Sequence, residues 1–149
     1  MAATLSRTRR DIRNSLPLWQ SAIASIVLAA LVGAISYGIA RAAGTLPHSV
    51  LVSTPAGDEP ITLAPTIIMS AQGALAASLV YALLRRFARQ ADRILWIVGV
   101  IVILLSMIPI FGIDDPPARM VVTLVLMHIV VGVATLAALT GLTAPRRSA

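Results

Sequence analysis

The sequence predicts an all-α membrane protein, a four-helix transmembrane bundle, and three observations carry that prediction. Apolar residues make up 58% of the chain against 12% charged, with a mean hydropathy of +0.89, outside the balance of a water-soluble domain. Four runs without a formal charge, about residues 19–40, 63–84, 94–113 and 120–142, each match the roughly 20 residues that cross a bilayer. Every Asp, Glu and Arg lies between those runs or beyond them. The whole of 1–149 reads as a single transmembrane domain.

The first span follows a basic segment, 1–15, that holds Arg7, Arg9, Arg10 and Arg13 against Asp11. Its uncharged run is 22 residues from Trp19 to Ala40, longer than the roughly 7–15 of a signal-peptide core, so an uncleaved span is expected. Asn14 or Ser15 suits the N-cap, Pro17 the first turn, where a missing N–H is harmless, and Trp19 the membrane interface. Ser25, Ala29, Gly33, Ser36 and Ala40 recur at helical spacing. Lipid tails provide no hydrophobic drive between helices, so this small-residue stripe is expected to face the bundle.

Residues 41–62 form the one long connection. Gly44 is placed to end the first helix in a left-handed conformation. Two β-prone runs, Ser49–Ser53 and Ile61–Leu63, flank a Pro/Gly-rich turn, so a short extracytoplasmic β-hairpin and an irregular solvated loop are both open. His48 reads as a solvated loop residue.

The second span carries Pro65 in its first turn and a small or polar stripe of Thr66, Ser70, Gly73, Ala77 and Tyr81. Gln72 lies roughly 100° from Gly73 around the helix. A short link with Arg85, Arg86, Arg89 and Arg93 then makes spans two and three antiparallel neighbours, with Asp92 as an N-cap. The third span, WIVGVIVILL broken only by Gly99, is the most aliphatic and is expected to show lipid the most. Pro109 bends its far end and frees a carbonyl for Ser106 or a neighbouring helix. Asp114 or Asp115 caps the fourth span, with Pro116 and Pro117 entering its first turn. His128, Gly132, Thr135 and Leu139 share one face of that span, and their polar and small character points it into protein. Gly141 and Pro145 stop the helix before Arg146 and Arg147.

Orientation follows from the arginines. The N-terminal segment, the second link and the C-terminal tail hold four, four and two, against Arg41 and Arg119 on the other side. Positive-inside bias therefore puts both termini in the cytoplasm of a cell with this protein in its plasma membrane. The same arginines attract anionic lipid headgroups. They flank apolar runs instead of clustering with aromatics, which argues against nucleic acid.

Few side chains inside the spans carry chemistry. Gln72 and His128 each lie about nine residues from the outer ends of their helices, roughly 13 Å deep, and Ser36 and Ser106 lie in the same half. Together they form a candidate polar pocket beneath the long loop, or Gln72 and His128 serve as interhelical hydrogen-bond glue. No span contains a carboxylate, which disfavours proton-coupled transport. Without cysteine there is no disulfide, thiolate metal site or thiol redox chemistry. A haem would need Met69 or Met107 opposite His128, and Ser106 with His128 lacks a third catalytic member, so no cofactor, metal or enzyme activity is expected.

The segments STPAGDEPITLAP before span two, ILLSMIPIFG closing span three and LVLMHIVVGV around His128 resemble a bacterial family of small four-pass membrane proteins of unknown function, mostly from high-GC actinobacteria. The resemblance runs from Trp19 to Leu142 and implies a four-helix membrane domain with the same histidine position, but no activity. The leading functional reading is a noncatalytic accessory, sensing or interaction module that contacts a membrane protein or lipid. The alternative is a small transporter or ligand carrier, working as a homodimer around Gln72 and His128.

Overall fold

Among the described residues four helices are long and apolar enough to cross a membrane: α1 (Leu18–Ala42), α2 (Leu63–Phe87), a third span over Ala91–Ile110 that begins as α3 (Ala91–Leu105), and α4 (Ala118–Leu142). The computed structural model describes residues 16–47, 51–54, 57–113 and 116–142. The candidate caps Asn14, Ser15, Asp114 and Asp115, the loop residue His48, and the arginines of 1–15 and of the C-terminal tail lie outside them. Helices satisfy their backbone groups internally, which the hydrocarbon demands, and a 25-residue helix is about 37 Å long, enough to cross with some tilt.

α1 packs against α2 and α4, which touch each other across the diagonal, and α3 packs against the same two helices. The close face of α1 is Ser21, Ser25, Ala29, Gly33 and Ala40, so the predicted small stripe does face protein, with Ser36 half-buried at its edge. The first and last described residues meet: the Leu16 N–H donates to the Leu142 carbonyl at 2.7 Å. That end, which also holds Arg85, Arg86, Arg89 and Arg93, is the basic end; the opposite one is the loop end.

Two apolar clusters close the two ends. At the loop end Ala40, Leu46, Ile110, Met120 and Leu124 pack together. At the basic end the cluster is Tyr81, Ala91, Leu95, Leu136 and Leu139.

Local sequence explains the terminations. Gly44, at φ 67, ends α1: its N–H bonds to the Arg41 carbonyl at 3.0 Å, and the Thr45 N–H reaches the Ala40 carbonyl at 3.0 Å. That crossed pair is a Schellman cap. The Arg41 guanidinium donates to the Leu46 carbonyl, which holds Leu46 over the cluster. Pro17 is the N-cap of α1, one residue ahead of its expected place in the first turn. Pro117 likewise precedes α4, and its carbonyl accepts from the Met120 and Val121 N–H groups at 2.7 and 3.2 Å.

Pro109 acts further upstream than a simple kink. It has no N–H, and its ring excludes the carbonyl four residues earlier from helical geometry, which is where α3 stops, at Leu105. The chain tightens at Met107, whose N–H takes the Leu104 carbonyl at 3.2 Å, and continues as a 3-10 helix over Ile108–Gly112. The Ile103 carbonyl loses its α-helical partner there, and the Ser106 hydroxyl donates to it at 2.7 Å. Ser106 thus satisfies a carbonyl of its own helix.

Asp92 does not cap α3. The N-cap is Gln90, without a side-chain bond, and Asp92 sits in the first turn, where its Oδ1 accepts from the Tyr81 hydroxyl at 2.5 Å. Tyr81 is 1% exposed, so this bond ties α2 to α3 at the edge of the basic-end cluster.

In the long connection β1 (Leu51–Thr54) pairs antiparallel with β2 (Gly57–Pro60), Leu51 opposite Pro60 and Thr54 opposite Gly57. The second strand falls earlier than the Ile61–Leu63 run because Leu63 already begins α2. Gly57, the first residue of β2, has φ 125, a conformation that glycine adopts without the strain a side chain would bring.

Candidate functional site: a cavity between α2, α3 and α4

Between the two clusters lies a cavity of about 400 Å³. α2 contributes Thr66, Met69, Ser70, Gly73, Ala74 and Ala77; the third span Gly99, Val102, Ile103 and Ser106; α4 the face from Leu124 to Leu136, including His128 and Thr135.

Two glycines explain why α3 approaches and why it does not fill the space. A Cβ on Gly99 would meet Leu136 Cδ1 and Cδ2 at 2.6 Å, and one on Gly132 would meet Ile103 Cδ1 at 2.5 Å. Each glycine is therefore a socket for an aliphatic side chain of the other helix. Elsewhere α3 turns its bulk outward, with Ile97, Val100, Ile101, Leu104 and Leu105 exposed, while α2 offers only small side chains at Ser70, Gly73, Ala74 and Ala77. The space opens outward past the exposed Met69, Gly73 and Val102.

Its polar groups are mostly turned to their own helices. Thr66 Oγ1 donates to the Thr62 carbonyl at 2.8 Å, Thr135 Oγ1 to the Val131 carbonyl at 2.8 Å, and Ser106 to Ile103 as described. His128 Nδ1 lies 2.8 Å from the Leu124 carbonyl. A carbonyl only accepts, so Nδ1 carries the proton, and in the neutral ring Nε2 is left as an acceptor. Among the described residues Nε2 has no partner.

The structure divides the four polar residues that the sequence grouped. His128 and Ser106 line the cavity; Gln72 and Ser36 do not. Gln72 is exposed on the outside of α2, because a helix turns about 100° per residue and Gly73 takes the cavity-facing position next to it. Ser36 belongs to α1, which contributes nothing to the lining. Gln72 and His128 therefore form neither a pocket nor an interhelical bond. Sequence reasoning missed Thr66, Thr135, Gly99 and Gly132 as lining; the break that Gly99 makes in an otherwise aliphatic run was the available signal for a socket. The small stripe that the sequence marks on α1 includes Ser25, whose Oγ is buried without a partner among the described residues.

At the basic end Arg86, Arg89 and Arg93 are exposed, and Arg85 lies 5.8 Å from the Tyr81 ring centroid, a cation–π contact. Among the described residues no group of three or more His, Asp or Glu side chains is placed to hold a metal ion.

A profile described as a family of unknown function, DUF6069, matches residues 14–145. The chain belongs to that family, in keeping with the unknown-function family its segments resemble. Comparison with curated proteins and with solved structures finds no match.

Proposed function

We propose that this member of a family without a known activity is a noncatalytic, multi-pass protein of a bacterial cell membrane that holds an apolar, hydroxyl-bearing ligand between α2, α3 and α4. One observation carries the reading: a cavity of about 400 Å³, within the roughly 300–1,000 Å³ of small-molecule sites, that meets its occupant with the unpaired Nε2 of His128. Apolar walls take a hydrocarbon body, and an acceptor nitrogen asks the ligand for an O–H or N–H. Ser106 supports the noncatalytic part, since its proton is committed to the Ile103 carbonyl and not to His128. The arginines at the basic end support a cytoplasmic placement of that end and contact with anionic headgroups.

Native mass spectrometry of gently solubilised protein, with an absorption spectrum of the same sample, tests this. The expected result is a discrete added mass that is lost on His128→Leu and kept on His128→Gln, which retains an acceptor. No adduct, or ordinary phospholipid masses indifferent to both changes, would overturn it. The interaction-module reading is favoured by a different residue, Gln72.

A further inference from the structure

Gln72 stands where a carboxamide does not belong. It is three residues from Leu75, the midpoint of α2, hence about 5 Å from the centre of the span and roughly 10 Å from the nearer polar boundary of a hydrocarbon layer near 30 Å thick. Its side chain is too short to reach water from there. It is exposed, faces away from the cavity and makes no hydrogen bond to any described residue. No other exposed polar side chain lies in the middle third of a span among the described residues. An unsatisfied amide in hydrocarbon is costly, so its partner comes from outside the bundle.

We propose that the partner is Gln72 of a second copy of this chain, in a two-fold dimer packed along α2. Copies inserted with the same orientation relate by an axis along the membrane normal, so the two α2 helices run parallel and residues on the axis meet their own counterparts. A carboxamide both donates and accepts, and two of them bond reciprocally across such an axis. The neighbouring residues fit the same geometry. Ile68, Gln72, Leu75 and Leu79 follow the four-three-four spacing of a left-handed helix seam, and all are exposed. Ala76, beside Gln72, is exposed and small enough for close approach. A single polar residue within an apolar seam is the device that sets register in such pairs.

The chain has no cysteine, so single introduced cysteines report contacts cleanly. In proteoliposomes, Leu79→Cys is expected to form an oxidative cross-link faster than Leu104→Cys, which lies on the lipid face of α3. Energy transfer between labelled copies, followed as lipid is added, gives the dimer's dissociation constant. Gln72→Leu is expected to raise that constant about 3- to 30-fold, the range for one or two interhelical side-chain bonds, whereas Gln72→Asn retains most of the association. Equal cross-linking at the two positions, or a dissociation constant unmoved by Gln72→Leu, would overturn the proposal. So would native spectra from membrane vesicles in which a different chain, and not a second copy, is lost with Gln72→Leu.

Discussion

Gly33 provides the most direct test of how this bundle is held together, because Gly38 on the same helix serves as its control. A Cβ on Gly33 would press on the Ser70 hydroxyl and lie 3.1 Å from Ser70 Cβ and 3.7 Å from the Thr66 carbonyl; a Cβ on Gly38 would meet nothing within 4 Å. Alanine favours helix over glycine by up to about 1 kcal/mol at both sites. The Ser70 hydroxyl can rotate, but its Cβ is fixed to the backbone, so at Gly33 the helices must separate by a few tenths of an ångström. Overpacking of that kind costs about 1–3 kcal/mol. Gly38→Ala is therefore expected to stabilise by as much as about 1 kcal/mol, and Gly33→Ala to fall about 1–3 kcal/mol below it. Reversible unfolding in mixed micelles, followed by far-ultraviolet circular dichroism, measures both. Ser70→Ala in the Gly33→Ala background should recover part of the loss. If the two alanine variants behave alike, close approach at Gly33 does not hold α1 to α2, and the packing argument fails.

Other contacts make equally specific demands. Tyr81→Phe keeps the buried ring but removes the 2.5 Å bond to Asp92; with the carboxylate exposed the loss should be about 1 kcal/mol in the same unfolding assay, and Asp92→Asn should cost no more. Gly44→Ala must hold φ 67 with a side chain, so a loss of about 1–2 kcal/mol is expected, with amide exchange quickening at Gly44 and Thr45. Ser106→Ala should cost about 1 kcal/mol in the native chain. It should cost almost nothing once Pro109→Ala lets the Met107 N–H return to the Ile103 carbonyl, a coupling that a double-mutant cycle reads directly.

Much of the backbone was legible before any coordinates. Hydropathy located four spans, Gly44 announced the end of α1, and Pro109 announced the break in the third span, because a missing N–H or a required positive φ acts on its own few residues whatever surrounds them. The small-residue stripes were also readable, since in lipid close approach replaces apolar burial as the packing signal. Tyr81 with Asp92 was not: the capping rule for Asp92 is local, and a buried phenol eleven residues upstream overrode it.

What the sequence determined by itself is therefore the set of helices, their antiparallel order and the side on which charge accumulates. Only the tertiary structure decided which of the polar residues outside those small stripes turn inward, and toward which neighbour. A helix in water advertises its inner face by contrast between apolar and polar residues, but a membrane span is apolar all round, and that contrast vanishes. Gln72 and His128 sit at matching depths, which sequence spacing shows, yet a turn of about 100° between Gln72 and Gly73 sends one outward to lipid while His128 lines the cavity. The cavity itself is equally invisible in one dimension, because it exists only where the small residues of α2 meet an α3 that is anchored on Leu136 and Gly132 and turns its remaining bulk away.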